Sequence, residues 1–251
     1  SVAMRKSLIL ILILSCGICG IVDNLLLEGN EAMISEEYDN AIQAYESILG
    51  LGYENSDLYY NLGNAYYRSN YIGQSIWAYM NALDITPRDK DIIHNLSVAN
   101  ARIIDRIEMP ETFILLRLYR LIKSYFTINE WFLFGSILLM FQAIWFLGLR
   151  FGILKGKVPK MISFSLIFIV IITHVIAIDS YSQKQRSHAA VVIANGVDAY
   201  SGPFYGNNSI VFRVNEGSIA DVSNNQKDWA EIILIDGKKG WVPMESIRPL
   251  K

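Results

Sequence analysis

The sequence predicts a multidomain membrane protein built from an all-α repeat array, a two-helix transmembrane hairpin and a small all-β barrel. Three observations carry that reading. Residues 23–108 repeat with a period of 34, the runs 131–149 and 161–178 hold no charged residue, and from about Ala189 onward short β segments alternate with turn signals. Composition agrees, because hydrophobic residues make up 52% of the chain and charged residues 18%, against about 25% charged in a typical soluble domain. A formal net charge of −2 with no clustered basic face gives no footprint for nucleic acid.

Residues 1–22 read as a signal peptide or an N-terminal anchor. Met4, Arg5 and Lys6 precede an apolar core at 8–22 that is short for a full span. Cleavage near 17–22, lipidation at Cys16 within the loose box Ile13-Leu14-Ser15-Cys16, and retention as an anchor are the three alternatives. Each places the residues after 22 outside the cytoplasm. Cys16 and Cys19 have the spacing of a redox pair, yet they end a Leu/Ile tract, where a redox pair would open a helix in a βαβ unit. No cysteine follows Cys19, so no disulfide or thiolate metal site is expected beyond it.

The region 129–180 reads as a transmembrane pair with spans 131–149 and 161–178, each close to the roughly 20 residues that cross hydrocarbon as a helix. The connection carries Arg150, Lys155, Lys157 and Lys160 and no acidic residue, while Glu130 and Asp179 flank the pair on its outer ends. The positive-inside rule puts this connection in the cytoplasm and both large flanks on the other side. Residues 109–128 read as an amphipathic interfacial helix or a capping helix, with Arg117, Arg120 and Lys123 recurring on one face. Inside the spans, Ser136, Gln142 and His174 are the polar side chains of interest. Rise along the helices sets His174 level with Ser136, so a hydrogen bond between them is expected, or else a contact with another subunit's span.

The repeat is clearest at Tyr59-x-x-Leu62-Gly63-x-x-Tyr66, followed by Ser75-x-x-x-Tyr79, Ala82 and Pro87. Gly63 lets the first helix approach the second, small Ser75 and Ala82 receive it, and Pro87 stops the second helix. A copy 34 residues earlier falls on Gly29, Ala32, Ala41 and Tyr45, and a later one on Ile93, Leu96 and Ala99, ending as a cap helix. This pattern resembles the tetratricopeptide repeat, and implies an all-α solenoid. In that family the first helix of each repeat lines a peptide-binding groove. The resemblance implies groove positions at Asp57, Tyr60, Asn64, Tyr67 and Arg68, with His94 and Arg102 on the next helix. Asn30 and Asn61 match asparagines with which some relatives clamp a peptide carboxylate, whereas Leu26 stands at the clamp's first lysine position.

Residues 189–251 suggest five short strands, at 190–194, 210–214, 217–222, 229–235 and 240–243, with Asp236-Gly237 as a hairpin turn. A loop Val197-x-x-Tyr200-Ser201-Gly202-Pro203, the turn Asn215-Glu216-Gly217, Trp229 before a strand and Gly240-Trp241-Val242 near the end resemble bacterial SH3-like domains. Related domains hold cell-wall peptide or a protein partner in an aromatic groove, for which Tyr200, Tyr205, Trp229 and Trp241 are the candidates here. For Trp229 and Trp241 the favoured reading is core or rim packing, because a barrel this small needs large side chains to close.

Chemistry is not signalled. The histidines are His94, His174 and His188, with no metal spacing between them, and no phosphate loop or GxSxG occurs. Glu36, Glu37 and Asp39 fall on a repeat turn. No enzyme activity, cofactor or metal is expected. The order of parts resembles the BatE-type proteins of bacterial aerotolerance operons. That resemblance implies a periplasmic scaffold of the inner membrane, with partners among von Willebrand A-domain membrane proteins and a MoxR-type ATPase. The alternative is a peptidoglycan-binding module that recruits a remodelling enzyme.

Overall fold

The computed structural model describes residues 20–103, 113–186 and 188–251. Cys16, Cys19 and the questions of cleavage and lipidation lie outside the described residues, as do 104–108 of the cap and 109–112 of the interfacial segment. The described residues fall into two compact units. One joins the helical repeat to the C-terminal strands, and the other holds the hairpin.

The first unit begins with helical residues 20–34 (α1), followed by α2 (Tyr38–Gly50), α3 (Ser56–Arg68), α4 (Ile72–Ile85) and α5 (Lys90–Asn100). Residues 20–22, assigned by sequence to the N-terminal segment, belong to α1. The 34-residue period is a physical identity of contacts. A Cβ on Gly29 would lie 2.5 Å from Tyr45 Cε1, and one on Gly63 would lie 2.5 Å from Tyr79 Cε1. Tyr45 donates to Asn30 Oδ1 at 2.8 Å, and Tyr79 to Asn64 Oδ1 at 2.7 Å. Both first helices end on a left-handed residue, Glu36 (φ 60°) and Asn70 (φ 66°), as helices do when the terminal carbonyls are satisfied from beyond the cap. Here Glu37 N–H reaches Ala32 O and Tyr71 N–H reaches Tyr66 O. Ser75 Oγ donates to Gly63 O at 2.9 Å, so the small residues bring α3 and α4 together as the sequence suggests.

The strands are β1 (Ala189–Val192), β2 (Val197–Tyr200), β3 (Ile210–Val214), β4 (Ile219–Gln226), β5 (Trp229–Leu234), β6 (Lys239–Pro243) and β7 (Ile247–Pro249). They form one antiparallel sheet of seven strands in the order β3-β2-β6-β5-β4-β1-β7. Two strands exceed the sequence reading. β2 arises in the expected loop because Ala199 is buried between β3 and β6, and β7 arises because β1 offers its second edge. The expected closure is not made, since β3 and β7 end the sheet without pairing to each other. Gly237 (φ 87°) makes the β5–β6 hairpin, with Gly237 N–H on Leu234 O.

The second unit contains α6 (Ile114–Tyr125), α7 (Ile128–Arg150) and α8 (Lys157–Arg186). Thr127 and Glu130 form a reciprocal capping box that starts α7. Both α7 and α8 are long and apolar enough to cross a membrane. They pack on a seven-residue stripe, Gly135 and Gln142 on α7 and Ser163, Val170 and Ala177 on α8 being buried at that spacing. Most other large apolar side chains of the pair are exposed.

Candidate functional site: the repeat face and the seam behind it

The helical array presents two faces, and the sheet occupies one of them. Gly73 N–H donates to Glu216 Oε2 at 3.0 Å, Trp77 Nε1 to Pro249 O at 2.8 Å, and Lys251 N–H to Asn81 Oδ1 at 3.0 Å. Arg248 binds Glu46 through both guanidinium nitrogens, at 2.8 and 2.9 Å, and donates to Tyr66 Oη at 3.1 Å. Its guanidinium carbon lies 3.4 Å from the centre of the Trp77 ring. Lys251 also pairs with Glu54. Ile76 and Ile103 lie against Gly217, where a Cβ would come within 2.9 and 2.8 Å of them. The φ of 82° demands glycine there, and the missing Cβ makes room for the two isoleucine side chains.

Electrostatics follow from this packing. Burial alone lowers the Arg248 pKa, but the hydrogen bond and charge of Glu46 outweigh it, so the guanidinium is held above its ordinary value. Burial, with the hydrogen bond to Glu46 added, raises the Tyr66 hydroxyl. Burial pushes Tyr45 up to about 12 and raises Tyr79 as well. Sequence reasoning missed Glu46, Trp77 and Arg248, because an ion pair separated by 202 residues leaves no local pattern.

The other face, carried by α1, α3 and α5, holds the groove residues expected from sequence. Tyr60, Asn61, Asn64 and Tyr67 are half-buried along it, while Asn30, Asp57, Arg68, His94 and Arg102 are exposed. Several are linked. Asn64 Oδ1 accepts from Tyr79 and from Asn95 Nδ2 at 2.9 Å, and Asn95 also donates to Tyr60 Oη at 3.2 Å. Arg102 stacks 5.4 Å from the Tyr67 ring centre and donates to Asn70. Arg68 lies 5.3 Å from the Tyr38 ring centre and donates to its hydroxyl. Asn95 joins this network although no motif position marks it in the sequence. Asp57 lies in the first turn of α3, where its charge complements the helix N-terminus.

Glu36, Glu37 and Asp39 line a shallow cleft of about 490 Å³ with Tyr38, Asn40, Ser69 and Tyr71. Asp39 accepts from Ser69 at 3.2 Å. Among the described residues no group of three or more His, Cys, Asp or Glu side chains is arranged to hold a metal ion.

On the sheet, Tyr200, Tyr205 and Trp229 meet edge to face or tilted, with ring centres 4.7–5.6 Å apart. Tyr205 is 70% exposed and Phe204 beside it 55%. Trp241 is different. It is buried, and pairs across the ladder with Tyr200 on β2 and Glu231 on β5. No family model and no curated protein matches the chain.

In the hairpin, the expected bond between Ser136 and His174 is not formed. Ser136 Oγ donates to Phe132 O of its own helix at 2.8 Å, and His174 Nδ1 lies 2.8 Å from Val170 O. The physical reason is Gly135. It leaves the space opposite His174, and a Cβ there would fall 2.6 Å from the ring. Backbone carbonyls one turn back satisfy both side chains without crossing the pair. Gln142 does cross, donating from Nε2 to Ser163 Oγ at 2.7 Å, while its buried Oε1 has no partner among the described residues.

Proposed function

We propose that this chain is a non-catalytic scaffold of the bacterial inner membrane, with its extramembrane unit on the periplasmic side and the α1/α3/α5 face holding a protein segment. The observation that carries it is the repeated contact set at 34-residue spacing, which fits tetratricopeptide repeats and leaves one helical face open while the sheet covers the other. Repeats of this kind use such a face for extended peptide. Tyr60, Asn61, Asn64 and Tyr67 supply aromatic surface and amide donors on rigid helices, which suits backbone recognition with little ordering cost.

Topology supports the same reading. The chain leaves the extramembrane unit before α6 and rejoins it at His188. If α7 and α8 span, two crossings return it to the side it left, and the basic connection with Arg150, Lys155, Lys157 and Lys160 belongs on the cytoplasmic side. The resemblance to BatE-type proteins supplies the partner class, von Willebrand A-domain membrane proteins and their associated ATPase. The sheet fits an SH3-like domain by element order, without ring closure.

A second reading rests on the Tyr200–Tyr205–Trp229 cluster, in which exposed Tyr205 on half-buried Tyr200 and Trp229 suits sugar or cell-wall peptide. In that reading the sheet grips peptidoglycan and the repeats recruit a remodelling enzyme. Sedimentation of the full-length protein with isolated cell wall separates the two. Loss of co-sedimentation in Y205A supports wall binding, whereas no co-sedimentation of the wild type removes it. Deleting 189–251 is not a clean test, since it strips Arg248 from Glu46 and uncovers Trp77.

A further inference from the structure

Helix α6 carries a large apolar face that the structure leaves uncovered. Leu115, Leu118, Leu121 and Ile122 are exposed, Leu121 by 68%. At 100° per residue these four, with Ile114 and Tyr125, occupy one side of the helix. Arg120 lies on the opposite side and Arg117 at the border of the apolar face, next to Leu121, and both are exposed.

The helix is not free to swing. Tyr119 donates to Asp179 Oδ2 at 2.6 Å, and Lys123 binds the same carboxylate and Gln183 Oε1 at 2.8 Å. Trp131 Nε1 donates back to Lys123 O at 3.3 Å, and the Phe126 and Trp131 ring centres lie 5.1 Å apart. Asp179 is the first charged residue after the uncharged run of α8, and Trp131 opens the uncharged run of α7. Both ties therefore hold α6 at the level where the hydrocarbon of a bilayer would end. An apolar face held at that level suits acyl chains, and the arginines beside it suit lipid phosphates.

We propose that α6 is an in-plane anchor that takes the headgroups of anionic lipid, with Leu115, Leu118, Leu121 and Ile122 among the acyl chains and Arg117 and Arg120 at the phosphates. The proposal rests on the reading of α7 and α8 as spans and adds a lipid class to it. Tyr119 and Lys123 act as positioning residues, since they set the helix through Asp179. Lys123 is committed to that carboxylate, which leaves the headgroup contact to the two arginines.

The test uses the full chain with C16S and C19S, reconstituted in phosphatidylcholine vesicles with and without phosphatidylglycerol. Single nitroxide labels are placed at L118C, L121C, S124C and, within α8, I169C. The expected result is that L118C and L121C collide with dissolved oxygen more than with an aqueous nickel chelate, S124C does the reverse, and I169C lies deep. With I169C deep, nickel-accessible labels at L118C and L121C overturn the α6 proposal alone. A nickel-accessible I169C overturns the spanning reading as well. For the lipid class, spin-labelled phosphatidylglycerol is expected to associate more than phosphatidylcholine. R117Q and R120Q should each reduce that preference by up to about five-fold at the site they line. An unchanged preference in the double variant overturns the headgroup assignment.

Discussion

Replacing Arg248 by alanine tests whether the sheet and the helical array form one energetic unit. The substitution removes two bonds to Glu46, one to Tyr66 and the stack on Trp77. Breaking a fully buried ion pair by removing one partner costs about 3–5 kcal/mol, while an exposed pair is worth about 0.2–1 kcal/mol. The side chains of Arg248 and Glu46 are 25% and 31% exposed, so this pair sits between those limits. Including about 0.5–1 kcal/mol for the cation over the indole, we expect R248A to weaken docking by about 2–3 kcal/mol. That corresponds to a roughly 30- to 150-fold shift toward the undocked form. Hydrogen exchange reads it directly, because Gly73 N–H and Lys251 N–H donate across the seam. Both should exchange faster by that factor, while amides within α3 and β5 change less. R248K keeps the charge but not the planar fork and should recover only part of the loss. In a double-mutant cycle, E46Q and R248A should be non-additive. Unchanged exchange at Gly73 and Lys251 in R248A would refute the reasoning, as would strict additivity with E46Q.

Three further outcomes are expected from the same contacts. G29A and G63A should each cost about 1–3 kcal/mol in thermal unfolding, since each new Cβ meets a buried tyrosine ring at 2.5 Å; a large loss for one and none for the other would break the equivalence of the repeats. Stability should be flat to about pH 10 and fall above it. The folded state holds Tyr45 near 12, and Tyr66 and Tyr79 are also raised, so the unfolded chain releases its phenolic protons first. Y45F, measured as the unfolding midpoint between about pH 8 and 11.5, should flatten that alkaline slope. In the hairpin, Q142L/S163A should be nearly neutral to α7–α8 association, because it removes both partners of their bond together with an unsatisfied buried oxygen. G135L should separate the pair at His174; cysteine cross-linking across the pair distinguishes the two variants.

Legibility in the sequence follows the range of each interaction. Gly63, Ser75, Tyr79 and Pro87 announce a helix pair because their contacts are made within one repeat, and the uncharged runs announce α7 and α8 by length alone. Tyr60, Asn64 and Tyr67 can be placed on one face for the same reason. Level alone predicts a Ser136–His174 bond, and Gly135 overrides it through local backbone bonding. β2 and β7 leave little local signal, because four- and three-residue strands depend on edges offered by β3, β6 and β1. Strand number suggests ring closure, but it does not determine whether the terminal strands meet. The seam of Glu46, Trp77 and Arg248 joins residues on either side of the hairpin, and no periodicity links them.

The most direct test of the scaffold account is affinity co-purification of the tagged full-length protein from gently solubilised membranes, compared with D57K/N61K. Both substitutions lie on the α3 face, away from the seam, and the unfolding midpoint controls for folding. The account predicts a defined set of membrane proteins at fixed ratio with the wild type, and their loss with D57K/N61K at a stability lowered by no more than about 1–2 kcal/mol, the cost of reversing the Asp57 charge at the α3 N-terminus. The same proteins at the same ratio from both, or none from either, would contradict it.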